Sequence, residues 1–220
     1  MRLVPIALAL ALGGLGCSGR DDPPPYSPAY YVGQYGPRAI AYRLPVKGQW
    51  VVIRTHYDNR RDQAWAIDLG ILADERSRAT GGGKQNTDFA AYNQPVVADG
   101  AGVIAIVVDG IPENQRGQSN SYDAHGNYVV IDHQNGEYSL MAHFIPGSIR
   151  VRVGQTVNAG DELGRCGNSG QSSEPHVHWQ VMNHPQAHLA QAVRPRFSPY
   201  ARNGQPSTEP PQKGDKVASD

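Results

Sequence analysis

Apolar and polar residues alternate along this chain in short runs, and the runs have the period of strands rather than of helices. Residues 49–56 read as a strand running into His56, and residues 64–71 as a second strand. Residues 95–108 give two strands around a glycine-containing turn. Residues 128–144 give two more, joined at Asn135-Gly136, a pair whose tolerance of positive φ marks a hairpin. Residues 149–164 alternate short β pieces with glycine turns, and the tight turn 166–170 feeds a last strand over 174–181. The pattern predicts an all-β domain of antiparallel sheets with a groove. The polar stretches 73–94, with Gly81-Gly82-Gly83, and 109–126 are long enough to wall that groove.

A few residues break the alternation. Successive side chains on a strand point to opposite faces, so His176 and His178 share one face while Val177 and Trp179 share the other. Two such imidazoles can act as two ligands, or as a ligand and a base. Asp68 stands alone in an apolar strand, where an ionised carboxylate costs several kcal/mol unless it is paired or metal-bound. An arginine partner would satisfy it as well as a metal. His56 closes the first strand, and His143 lies between Ala142 and Phe144. Zinc catalysis needs three nitrogen or oxygen ligands, an open position and a group that moves a proton, and these five residues suffice. No His-Glu-x-x-His occurs, which excludes the helix-borne metalloprotease motif. His125, His133, His184 and His188 lie in polar surroundings and are expected on the surface; Tyr138 and Asn168 could line the site.

The ends have a different composition. Residues 1–16 read as an export signal: Arg2, an apolar run over 3–12, then small residues. That run falls short of the ~20 apolar residues that span a bilayer. It leads into Gly14-Leu15-Gly16-Cys17-Ser18, which is similar to a bacterial lipoprotein signal with Cys17 acylated, although Leu15 stands two positions before the cysteine where three is usual. Ordinary secretion is the alternative. Residues 17–43 form a tether, 44–203 the folded domain, and 204–220 a polar tail expected to be disordered. Cys166 is expected to be a small buried hydrophobe. The 20 basic and 20 acidic residues balance, and without Arg2 the charge is −1, which argues against nucleic-acid binding.

Taken in order, the segments resemble the lysostaphin/LytM-type family of zinc endopeptidases that cut bacterial cell-wall peptides. The resemblance runs through His56, Asp68-Leu69-Gly70, Pro95-Val96-Val97-Ala98 with Gly100, Val129 to His133 with Gly136, and Ala142-His143. It continues through Val153-Gly154-Gln155-Thr156-Val157, Gly160, Gly164, Gly167-Asn168-Ser169-Gly170 and Pro175-His176-Val177-His178. It implies a lysostaphin-type, barrel-sandwich-like fold of duplicated hairpins. It makes His56, Asp68 and His178 the ligands of one zinc per chain, and His143 and His176 the pair that handles water and oxyanion. The twelve residues from His56 to Asp68 exceed the family's commonest spacing and are similar to a long-spaced subgroup. The implied substrate is a peptidoglycan stem or cross-link peptide. The implied location is the bacterial cell envelope, through a lipid on Cys17 facing the periplasm, or else periplasmic or secreted. A non-catalytic scaffold of the same fold, activating another cell-wall hydrolase, is the alternative. Residues 149–164 also resemble half of a biotinyl or lipoyl carrier, but the turn Asn158-Ala159-Gly160-Asp161 lacks the lysine to be modified.

Overall fold

The computed structural model describes residues 40–57 and 63–219; the expected export signal, Cys17 and the tether up to residue 39 lie outside the described residues. Among the described residues twelve strands follow in chain order: β1 Gly48–Thr55, β2 Ile67–Gly70, β3 Pro95–Val97, β4 Gly102–Val108, β5 Asn127–Asp132, β6 Tyr138–Phe144, β7 Thr156–Val157, β8 Glu162–Arg165, β9 Val177–Met182, β10 Tyr200–Arg202, β11 Gln205–Ser207 and β12 Lys216–Ser219. Ten form one sheet in the order β11-β10-β12-β1-β2-β9-β6-β5-β4-β7, and β3 pairs with β8 in a second. Every strand pair is antiparallel. The fold is all-β, as the alternation predicts.

β9 lies in the middle of the large sheet and is buried along its whole length. Its odd positions, Val177, Trp179 and Val181, join the main core with Val52, Ile67, Leu69, Val129, Ile131 and Met141. Val96 and Leu163 of the two-stranded sheet belong to the same core. The even positions, His178, Gln180 and Met182, face the other way. Met182 packs there with Val130, Leu140 and Ala142. One sheet thus has a hydrophobic face and, around β2, β9 and the end of β6, a polar buried one.

The hairpin at Asn135-Gly136 joins β5 to β6, with Gln134 and Gly136 at positive φ. β3 and β4 flank a tight turn but enter different sheets. The tail departs from expectation. Residues 204–219 are ordered as β11 and β12, and β12 pairs with β1. Val217 is buried in the core, and Asp215 ties the segment down through Arg202, Asn203 and the Gln212 amide. An edge strand needs only alternate apolar residues, and the single valine between Lys216 and Ala218 supplies them too sparsely to read. The end of the tether departs as well, because Tyr42 is buried and bridges Phe197.

Candidate metal centre

Strand register assembles the polar face of the site. Asp68 pairs with His178 across β2 and β9, and His178 pairs with Ala142 across β9 and β6. His56 follows β1, its amide bonded to the Ala66 carbonyl, so its ring arrives beside Asp68. In the resulting cluster His178 Nδ1 donates to Asp68 Oδ1 at 2.8 Å, and His56 Nε2 to Asp68 Oδ2 at 3.1 Å. One ligand atom from each of the three lies within 4.8 Å of the others. All three side chains are buried, yet they line an open cleft of 540 Å³.

The donor set fits a zinc ion on chemical grounds. Two imidazole nitrogens and one carboxylate oxygen form a ligand triad that leaves further coordination positions open. Asp68 has no lysine or arginine ion pair among the described residues; its partners are His56, His176 and His178. Among the described residues, then, imidazoles rather than an arginine hold it. Burial pushes the Asp68 carboxyl up, but His176, His178 and His56 together outweigh burial and hold it well below the usual carboxylate range. His178 is pinched between two acceptors, Asp68 Oδ1 and Gln180 Oε1, the latter at 3.0 Å. Burial lowers its proton affinity, but those two hydrogen bonds and the Asp68 charge raise it above the usual histidine value. A cation held by His178 would take the place of one of these protons, and Gln180 would keep the ring oriented from the other nitrogen.

His143 and His176 complete the cleft, with ring centroids 4.6 Å apart. Each donates from Nδ1 to a backbone carbonyl, His143 to Ser169 at 2.7 Å and His176 to Glu174 at 2.9 Å. Carbonyls only accept, so both rings turn Nε2 toward the cleft. Burial, then the charges of His176 and His178, push the His143 pKa well below its usual value, so it is neutral. Its backbone lies at φ 71°, a left-handed conformation rare outside glycine and stored where the surroundings enforce it. The backbone is held there on both sides, its N–H donating to the His125 carbonyl at 3.2 Å and its carbonyl accepting from the Gly167 N–H at 2.9 Å, where two loops approach closely. A side chain on Gly170 or Gly126 would strike the other's backbone within 2.3–2.6 Å, and Ser169, between them in space, accepts from His143.

Both long polar loops reach the cleft, through Arg78 and through Ala124 and His125, and residues 171–174 line it beside them. Arg78, from the first, pairs with Glu174 at 2.6 Å. Asn114, in the second, donates to the carbonyls of Gly170 and Ser172. The structure brings together His56, Asp68, His143, His176 and His178. It also adds His125, expected on the surface, which lines the cleft 6.3 Å from His178 and edge-on to Tyr128. His133, likewise expected on the surface, is buried on the opposite face. Their polar sequence neighbours hid both. His188 is exposed as expected, Cys166 is buried, and Asn168 braces the loops through Asn86 and Glu113 rather than lining the site.

Comparison with known proteins identifies the family. The model of peptidase family M23 matches residues 82–192, just over half of the chain. That stretch contains His143, His176 and His178 but begins after His56 and Asp68, which the fold alone adds. Over 97 residues the chain is 32% identical to the peptidoglycan DD-endopeptidase ShyA of Vibrio cholerae, covering 44% of this chain and 19% of that protein. Over 123 residues it is 26% identical to the cell division protein DipM of Caulobacter vibrioides, covering 56% and 18%. The matched part spans about a fifth of these relatives' length. The catalytic domain of the prophage-encoded M23 protein EnpA of Enterococcus faecalis superposes with a TM-score of 0.46 at 20% identity, covering 69% of this chain and 94% of that domain.

Proposed function

The chain belongs to peptidase family M23, and on that premise we propose that it is a zinc-dependent endopeptidase hydrolysing peptide bonds in peptidoglycan stems or cross-links. The observation that carries the reading is the convergence of His56, Asp68 and His178 with two further histidines in one open cleft. The three would hold one zinc, which when bound acts as a Lewis acid and lowers the pKa of a coordinated water. His143 is placed to receive a proton at Nε2, since its Nδ1–H is committed to the Ser169 carbonyl and Nε2 faces the cleft. His176, held through Glu174 and Ser172, presents Nε2 to the oxyanion that develops on the attacked carbonyl. A positioned base contributes on the order of 10²–10⁴-fold, and an oxyanion donor on the order of 10²–10³-fold.

The test is to digest purified sacculi with zinc-loaded wild type and with His143→Ala, and to separate the released muropeptides. Fragments from wild type alone support the reading. If neither releases any from sacculi of differing cross-bridge, the non-catalytic scaffold takes its place. We further propose that the protein works in the cell envelope and, from the residues around Cys17, that a lipid on Cys17 holds it there, with a periplasmic or secreted protein as the alternative. Cys17→Ser then moves it from the membrane fraction to the soluble one, and equal soluble yield of both proteins would exclude the anchor.

A further inference from the structure

β1 carries an irregularity beside the ligands. Val52 pairs with Leu69, yet Arg54 pairs with Asp68, so Ile53 is an extra residue in the strand. Val52 and Leu69 face the core. In an unbroken strand Arg54, two residues after Val52, would face it too. The bulge turns Arg54 to the other face, which is what bulges beside active sites do. Arg54 then heads a cross-strand row, Arg54, Asp68, His178, Ala142, Tyr128, whose first three members line the cleft. Neighbours in such a row have Cβ atoms about 5 Å apart.

Among the described residues that line the cleft, the other charged side chains have an oppositely charged partner. Asp68 is engaged by three histidines, and Glu174 by Arg78 at 2.6 Å and Arg116 at 3.8 Å. Arg54 is exposed and has no acidic partner among the described residues, although its charge reaches His178. A guanidinium presents a planar fork matched to a carboxylate. An extended peptide rises about 3.3 Å per residue. A guanidinium one cross-strand step from the ligands therefore meets a group on the residue next to the bond under attack.

We propose that Arg54 is a specificity residue that selects peptides with a free carboxylate beside the scissile bond, on the flank of the cleft opposite His143. The inference rests on the peptidase reading and names the chemistry of its substrate.

The experiment uses two synthetic cross-link peptides that differ only in a carboxylate or a carboxamide on the residue beside the scissile bond. Zinc per chain and kcat/KM are measured for wild type, Arg54→Gln and Arg54→Lys. Wild type should favour the carboxylate about 10- to 100-fold, mainly through KM. Arg54→Gln should bring that ratio to about 1, and Arg54→Lys should keep much of it. Equal use of both peptides by wild type, or an unchanged ratio in Arg54→Gln, overturns the proposal. Lower zinc with equal losses on both peptides also overturns it, because Arg54 then acts only through His178. Calorimetric binding to the zinc-loaded His143→Ala protein, with and without Arg54→Gln, separates this inference from the catalytic reading. A carboxylate preference in binding without hydrolysis by wild type leaves Arg54's role standing and removes the peptidase. Equal binding of both peptides removes Arg54's role alone.

Discussion

Two groups of histidine and aspartate hang from opposite faces of the same two strands. On one face His178 of β9 and His143 of β6 meet Asp68 and His56. On the other, Trp179 of β9 and Ser139 of β6 meet Asp99 and His133: Trp179 Nε1–H donates to Asp99 Oδ2 at 2.7 Å and Ser139 Oγ–H to Oδ1 at 2.8 Å. His133 bonds the Ala101 carbonyl and Ser139 Oγ, both at 2.8 Å. The residue types are nearly the same and the burial is similar. The partners differ. Both carboxylate oxygens of Asp99 and both ring nitrogens of His133 are engaged by fixed protein groups, although Asp99 and Ala101 also border a second cleft, of 400 Å³. In the first group Asp68 is shared, among the described residues, only by imidazoles, and those imidazoles line open space. A buried polar network that satisfies itself specifies packing; one whose acceptors wait on mobile protons is prepared for a cation.

The sharpest way to break this comparison is to remove each carboxylate. On the proposed reading Asp68→Ala takes the purified protein from about one zinc per chain to near zero, because two ligands do not replace three. Asp99→Ala should keep the zinc of the folded fraction and instead lose about 2–4 kcal/mol of stability, since it orphans the Trp179 N–H and strips His133 of its acid. Metal analysis and urea unfolding read the two effects separately. If Asp99→Ala lost zinc and Asp68→Ala did not, the assignment of the faces would be reversed. His143→Ala comes next, with zinc retained and turnover down about 10²–10⁴-fold. Zinc loss in that variant would make His143 a ligand.

Which features were legible follows from what sequence neighbours can encode. The His-x-His alternation gave the two faces of β9, because a strand's period is local. Asp68 was conspicuous because a carboxylate among Ile67, Leu69 and Ile71 violates its surroundings. The hairpin at Asn135-Gly136 rests on turn chemistry carried by two residues. His125 and His133 were hidden because each owes its place to a distant partner, His125 to His178 across the cleft and His133 to Asp99 beneath the sheet. The bulge at Ile53 was hidden for the same reason. It exists only as a register between β1 and β2, and nothing in Val-Val-Ile-Arg marks which residue is extra. The tail read as disordered because β12 borrows its order from the edge of β1.

Gln180 tests the finer claim that orientation matters as well as ligation. It accepts from His178 Nε2 and is wholly buried, so Gln180→Leu removes the bond that holds the ring without touching a ligand. Zinc affinity, measured by competition with a chelator, should fall by about 10- to 100-fold. An unchanged affinity would show that packing alone orients His178.

The smallest effect is a slope. Burial pushes the Asp99 carboxyl above its ordinary value of 3.8, and His133, Trp179 and Ser139 only partly offset this. The folded protein therefore keeps a proton that the unfolded chain releases. A carboxyl raised in this way contributes most to stability below its unfolded pKa, and the contribution declines as pH rises through the window above it. The decline is at most about 1.4 kcal/mol per pH unit. Asp99→Asn has no such proton to hold. In metal-free protein, the difference in unfolding free energy between wild type and Asp99→Asn should narrow or reverse as pH rises from about 4, with Asn relatively better at the higher end. Taking the difference cancels the titrations of the other face, which both proteins share. Parallel curves would mean that Asp99 is ionised in both states across this range, and that the saturated network carries a true buried charge.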